Sequence, residues 1–181
     1  MILRPFRRNS ENRSIGVLYG AIVAQARLAA FYTHYRVPDT VQGRFELIVL
    51  HLVLVLSRLG REQSDGRRLG QKLFDKFCRD LDDNLREMGV GDLAVPKKMR
   101  RFGEAFYGRQ AAYLAALAAA DDRELEKALA RNIFQVDGSD ESAALLARYA
   151  HAALEQLDTQ DERAVLCGEV TFPNAEAIAY A

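Results

Sequence analysis

The sequence has few cysteines and no long apolar run, and each shortage excludes a class of protein. Its 181 residues include two cysteines, Cys78 and Cys167. Two are too few for a disulfide framework and lie in no metal-ligand spacing, so a reducing compartment fits both. The richest apolar run, Leu47–Leu56, contains His51. At ten residues it is about half of the ~20 that a spanning helix needs, so we expect no membrane span.

Sequence motifs of catalysis and of secretion are also missing. The spacing suggests no Ser/His/Asp or Cys/His set, and there is no Gly-rich phosphate loop. We therefore expect a non-catalytic protein without a cofactor or a metal, and binding of DNA is not indicated. The basic start, Met1–Arg8, lacks the apolar core of a secretory signal. A short native tail, and hence a cytoplasmic protein of bacterial type, is the expectation.

Charge is balanced overall but unevenly distributed along the chain. With 49% hydrophobic and 28% charged residues, a packed soluble domain is favoured over a disordered chain. Residues 1–120 hold 20 Lys/Arg against 12 Asp/Glu, a balance of +8, whereas residues 121–181 hold 5 against 13, a balance of −8. Either the first part binds an anionic partner, or the two parts of one fold attract each other.

The hydrophobic periodicity predicts an all-α fold, a single-domain bundle of about six helices. Ser14 is a candidate N-cap for the first helix, the apolar run places the second in the middle of the bundle, and Gly89 suits the C′ position of the third. We expect a basic tail over 1–13, a helical domain over 14–160 and an extended tail over 161–181. The predicted helices cover 15–34, 42–59, 67–88, 96–119, a segment after Asp121 or Asp122, and 141–157.

Two charged motifs have both a structural and a binding interpretation. Asp39 and Thr40 suit capping of the second helix, but Arg44 lies at the helix start, where the macrodipole disfavours a cation. A buried pair with Asp39 or another carboxylate would explain it. Farther on, a basic cluster is either a solvated helix face or a site for phospholipid or RNA. Its members are Lys97, Lys98, Arg100 and Arg101.

An acidic run on the third helix invites an enzymatic interpretation. Asp80, Asp83 and Asn84 share one helix face, as the Mg²⁺-diphosphate sites of all-α isoprenoid or quinone enzymes require. Opposite charges at i,i+4 explain the same residues as a salt-bridged exposed face. Those pairs are Asp75–Arg79, Lys76–Asp80 and Asp82–Arg86. The structural explanation is favoured, and the enzyme remains the alternative.

Three separated motifs, Tyr35–Glu46, Gly89–Asp92 and Phe106–Arg109, together resemble the ubiquinol–cytochrome c chaperone family. The resemblance implies a non-catalytic chaperone that binds newly made cytochrome b and supports assembly of the bc complex at the inner membrane face. An anionic membrane surface and the ribosome are further candidate partners, and a membrane tether without a client is another alternative. The candidate client-binding residues are Tyr32, Tyr35, Asp39, Thr40, Arg44, Tyr107, Gly108 and Arg109.

Overall fold

The computed structural model describes residues 4–62, 64–119, 121–138 and 140–180. The described chain is helical without strands, which confirms the all-α prediction. A π-helical turn, Ala130–Phe134, continues the sixth helix. The helices are α1 (Arg4–Ala26), α2 (Ala29–Thr33), α3 (Val41–Arg61), α4 (Ser64–Glu87), α5 (Val95–Leu117), α6 (Arg123–Leu129), α7 (Glu141–Thr159), α8 (Glu162–Leu166) and α9 (Ala175–Ala179).

Helix α3 is the centre of the bundle, as its apolar sequence predicts. It packs against α1, α4, α5 and α7. Side chains all around it are fully buried, among them Leu50, Val53 and Leu54. A helix surrounded by others can bury every face, so it needs no polar stripe. Because α3 is central, its first turn also lies beside neighbouring helices of the bundle.

One chain of hydrogen bonds runs through the core from α3 to α7. His51 Nδ1 donates to the Leu47 carbonyl at 2.7 Å, and Tyr149 Oη donates to His51 Nε2 at 2.9 Å. Gln25 of α1 donates to the same tyrosine oxygen at 2.9 Å. Burial lowers the pKa of His51 to about 4. The histidine is therefore a neutral core residue held by two hydrogen bonds.

The first helix differs most from its prediction. It begins at Arg4, inside the segment expected to be a tail, and Ser14 is not its cap. Pro5 lies in the first turn, where proline is tolerated. Glu11 then accepts hydrogen bonds from Lys72 and, at 3.0 Å, from Arg68 of α4. These ion pairs hold the early turns of α1 against α4. Local sequence periodicity does not predict such a contact between helices.

The stretch Glu11–Thr33 has the length and mean hydropathy, 1.4, of a helix that crosses a membrane. The sequence prediction, which rests on the run at Leu47–Leu56, misses it. In the structure the stretch is broken between α1 and α2. Leu18 and Ile22 are fully buried in the bundle. About a third of its most apolar window, 33%, is buried in this way, and the rest lies toward the surface.

The segment after Asp161 follows its predicted extended conformation only in part. Residues 169–174 have no regular structure, but α8 and α9 lie on either side. Tyr35 donates to the Ala175 carbonyl at 2.7 Å, and Gln25 donates to the Pro173 carbonyl at 3.2 Å. The segment therefore packs on α1, α2 and α7. These helices are distant in sequence, so no local helical pattern in the segment could predict the contact.

At the end of α4 the predicted C′ role of Gly89 is confirmed. Gly89 has a φ of +80°, the left-handed conformation that favours glycine at C′. Val90 N–H donates to the Leu85 carbonyl at 3.0 Å, and Gly89 N–H donates to the Arg86 carbonyl at 2.9 Å. Both bonds of a Schellman motif are present. The end of α4 is thus a fixed turn.

Candidate functional site

The loop that precedes α3 is held by short-range contacts. Thr40 is the N-cap, and its Oγ1 accepts from the Gly43 N–H at 3.1 Å, as the capping interpretation predicts. A Cβ atom at Gly43 would lie 2.1 Å from the Pro38 carbonyl oxygen. Only glycine fits there without movement of the backbone. Pro38, Thr40 and Gly43 are therefore explained by the geometry of the helix start.

Arg44 pairs with Asp39, as predicted, but the pair is exposed to solvent rather than buried. Its Nε donates to Asp39 at 2.6 Å, and the hydrogen bond lowers the pKa of that carboxyl. The two side chains are 60% and 57% exposed, so the expected burial is wrong. Arg44 also lies over the ring of Tyr32, 5.9 Å from its centroid. Water reaches both charges, so removal of Arg44 would strand no buried carboxylate, and the pair contributes little to stability.

A buried carboxylate joins two of the three sequence motifs. Glu46 on α3 is fully buried, and Arg109 on α5 donates to its Oε1 at 2.7 Å. Gln42 donates to the same oxygen at 2.7 Å. Burial raises the pKa of Glu46, and the arginine opposes that rise. The sequence motif ends at Glu46 without indicating a role for it, because an interhelical partner has no local signal.

The candidate tyrosines do not form one surface. Tyr35 is fully buried between Phe31 and Tyr149, and burial raises its pKa to about 12. It cannot contact a client, which corrects its assignment. Tyr32 is half-buried and donates to the Ala26 carbonyl at 2.9 Å. These two residues pack the end of α1 and α2, whereas Tyr107 lies on α5 beside Phe74 of α4.

Tyr107 and Gly108 lie on an open face of α5. Tyr107 is 57% exposed, and a Cβ atom at Gly108 would have no heavy atom within 4 Å. Neither residue therefore packs α5 against α1. Arg109 points to Glu46 instead and is only 20% exposed. Of the Phe106–Arg109 motif, Tyr107 and Gly108 remain available to a partner.

Tyr107 borders a groove between α3, α4 and α5, with a volume of about 230 Å³. Gly60 of α3 and Gly70 of α4 both line it, whereas Gly108 and Tyr32 do not. The predicted second helix ends at residue 59, but α3 continues to Arg61. We call this the glycine groove; its lining residues are Leu56, Gly60, Gly66, Arg67, Gly70, Gln71, Phe74, Phe106, Tyr107 and Gln110.

The basic cluster lies on the first turns of α5, and all four of its side chains are exposed. Arg100 approaches Glu104 at 3.6 Å. The other interpretation of the charge distribution is attraction between residues 1–120 and residues 121–181. Among the described residues, two ion pairs join these two parts of the chain. These are Arg61–Asp158 at 2.5 Å and, where the histidine carries a proton, His34–Glu176 at 3.8 Å. Neither pair uses the basic cluster, so those charges face the solvent.

The acidic run on α4 is a set of ion pairs and hydrogen bonds. Lys76–Asp80 and Asp82–Arg86 form as predicted. Asp75 instead accepts from Gln71 at 2.8 Å. Within the described ranges, no group of three His, Cys, Asp or Glu side chains is placed to hold a metal ion. The arrangement favours a salt-bridged surface over diphosphate chemistry.

Comparison with known proteins gives consistent similarities. The model of the family described as "Ubiquinol-cytochrome C chaperone" matches residues 33–172. The chain is 27% identical over 172 residues to ubiquinol-cytochrome-c reductase complex assembly factor 1 of Xenopus laevis, covering 93% of this chain and 86% of that protein. The human protein of the same description is 26% identical over 157 residues, and the match spans about half of it, 52%.

A solved structure extends the similarity to the whole fold. The crystal structure of the Cbp3 homolog from Brucella abortus superposes with a TM-score of 0.86. Sequence identity is 36%, and the match covers 97% of this chain and 98% of the other. The docked C-terminal segment therefore lies within the structurally matched part of the chain.

Proposed function

The chain belongs to the ubiquinol–cytochrome c chaperone family, and from that premise we propose that it binds newly made cytochrome b and supports its assembly into the bc complex. The prediction of a non-catalytic protein is confirmed by this family, whose related proteins are assembly factors. We place its activity at the inner membrane face, where a membrane subunit emerges. The proposed client is one protein, cytochrome b, rather than the complex as a whole.

The observation that carries the proposal is the glycine groove beside an exposed tyrosine. A newly made membrane subunit presents apolar helices that aggregate in water. Gly60 leaves one wall of the groove without a side chain, so a client helix can approach the α3 backbone closely there. A Cβ atom at Gly60 would meet no heavy atom within 4 Å, whereas one at Gly70 would contact Leu56 and Leu59 of α3. The groove is therefore open at Gly60.

Tyr107 supplies the kind of contact that such a client requires. Its ring packs on Phe74 with centroids 5.8 Å apart, which fixes the ring at the groove edge. Tyrosine combines apolar area with a polar tip, so it is exposed in the free protein at modest cost and still anchors a partner. Gln110 adds a polar group at the same edge. An apolar segment with a polar residue at its border fits this lining.

Filling the groove tests the assignment without disturbing the core. Gly60→Leu places a side chain in open space, and leucine is the better helix former, so the variant should fold normally. It should retain little cytochrome b in a pull-down from cells that make the subunit, and Tyr107→Ala should weaken capture. The matched control is Gly20→Leu, because Gly20 on α1 is equally open. Equal capture by Gly60→Leu and the control would contradict the groove.

A deletion strain tests the function independently of the groove. Loss of the gene should remove the spectral signal of b-type haem in the bc complex and leave other respiratory complexes intact. The wild-type chain should restore that signal. Normal bc-complex haem in the deletion strain would contradict the proposed function itself. Restoration by a chain carrying Gly60→Leu would contradict only the site.

A further inference from the structure

The turn between α4 and α5 exposes large apolar side chains. Leu93 is 97% exposed and Met88 is 72% exposed. Val95 beside them is fully buried but does not belong to the main core cluster. We call residues 85–101, from the last turn of α4 to the second turn of α5, the α4–α5 arm.

The tip of the arm has a fixed backbone. The Schellman motif at Gly89 ends α4, and Ala94 N–H donates to the Gly91 carbonyl at 2.8 Å. Arg86 also forms an ion pair with Asp92 across the turn. Leu93 and Met88 are therefore held in water by a formed turn. Exposure of two large apolar residues at one turn calls for a partner that removes them from water.

The arm is also strongly cationic at its α5 side. It contains five cations against Glu87 and Asp92, a net charge of +3, in a chain whose formal net charge is zero. Asp92 is already paired with Arg86. Lys97, Lys98 and Arg101 form no ion pair with the part of the chain that the structure describes. These charges are therefore available to an anionic surface close in sequence to the exposed Leu93.

We propose that the α4–α5 arm docks on an anionic lipid bilayer, with Leu93 and Met88 in the headgroup–acyl boundary and the basic cluster on the lipid phosphates. A bilayer offers an apolar layer beneath a layer of negative charge, which is the arrangement that the arm complements. RNA would match the cations but would leave Leu93 and Met88 in water. The membrane contact is separate from the glycine groove and goes beyond client binding.

Co-sedimentation of the full chain with vesicles tests the charge requirement. The chain should bind vesicles of phosphatidylcholine mixed with phosphatidylglycerol and not vesicles of phosphatidylcholine alone. Lys97→Glu with Arg101→Glu should lower the affinity at least about tenfold. The control, Arg123→Glu with Lys127→Glu, changes net charge equally at exposed cations of α6 and should bind normally. An equal loss in both double variants would overturn the proposal.

Insertion of the tip has its own reporter, because the chain contains no tryptophan. In Leu93→Trp the single indole should shift its emission to the blue on anionic vesicles, and brominated acyl chains should quench it. Tyr180→Trp, at a position 72% exposed, is the control and should not respond. Vesicle binding without a shift at Leu93→Trp would overturn insertion. Competition by a structured RNA, with the emission unshifted, would overturn the proposal in favour of an RNA surface.

Discussion

At the scale of single residues, the contact between Glu46 and Arg109 connects the sequence motifs. Arg109 lies beside Tyr107 on α5, and Glu46 follows the capped start of α3. A buried carboxylate needs a cation or a proton. The pair therefore orients α5, and with it the exposed Tyr107, relative to α3. Arg109 thereby supports the position of the glycine groove.

We predict that Arg109→Ala lowers the free energy of unfolding by about 3 kcal/mol at neutral pH, because it strands a buried carboxylate. The pKa of Glu46, already raised by burial, should rise further without the arginine. When the pKa of a carboxyl is higher in the folded than in the unfolded protein, the free energy of unfolding is lowered at a pH above the folded pKa. It is unaffected at a pH below the unfolded pKa, which lies near 4.5. The cost should therefore shrink as the pH falls toward that value.

Urea unfolding of wild type and variant, followed by circular dichroism at neutral and acidic pH, measures this cost. Arg100→Ala is the matched control, since Arg100 lies on the same helix and is 78% exposed. The control should have little effect at either pH. A cost for Arg109→Ala that stays constant across the pH range would contradict the stranded carboxylate.

At the scale of elements, local signals predicted helix ends better than helix partners. Gly89 and Thr40 were identified correctly because a left-handed C′ residue and an N-cap act within a few residues. The pairing of Arg44 with Asp39 was found for the same reason. The glycine groove was not, since Gly60 and Gly70 belong to different helices and meet only after folding. In the sequence, a glycine near a helix end that lines a groove cannot be distinguished from a glycine that forms a turn.

The start of α3 yields a prediction at this scale. Gly43→Ala would place a Cβ atom 2.1 Å from the Pro38 carbonyl oxygen, so the loop and the cap must move. We expect a loss of about 2 kcal/mol or more in the free energy of unfolding, within the range of strained sites.

Thermal unfolding of Gly43→Ala against wild type provides the measurement. Gly16→Ala is the control, because a Cβ atom at Gly16 on α1 would have no heavy atom within 4 Å. It should leave the melting temperature unchanged or raise it, as alanine is favoured over glycine inside a helix. If both variants melt alike, the close approach of Gly43 to Pro38 is not what holds the loop.

At the scale of the whole molecule, the C-terminal segment closes the fold over its first helices. Phe172 packs on the His51 ring with centroids 5.2 Å apart, and Val165 and Ala175 are buried. Gly168, with a φ of +96°, lets the chain pass Ser14 of α1, where a Cβ atom would lie 2.6 Å from its carbonyl oxygen. The sequence predicted the bundle but not this closure, because residues 169–174 have no periodicity that points to α1 and α3.

The last prediction follows from that closure. Truncation after Gln160 removes the acceptor of the Tyr35 hydroxyl, the ring that covers His51 and several half-buried apolar side chains. Burial of such groups contributes at least about 3 kcal/mol, a large share of the ~5–15 kcal/mol by which domains are stable. The truncated chain should unfold at lower urea concentration, with a less cooperative transition. Truncation after Ala179 removes an exposed tyrosine and should unfold like the full chain; equal stability of both truncated chains would mean that residues 161–179 are dispensable to the fold.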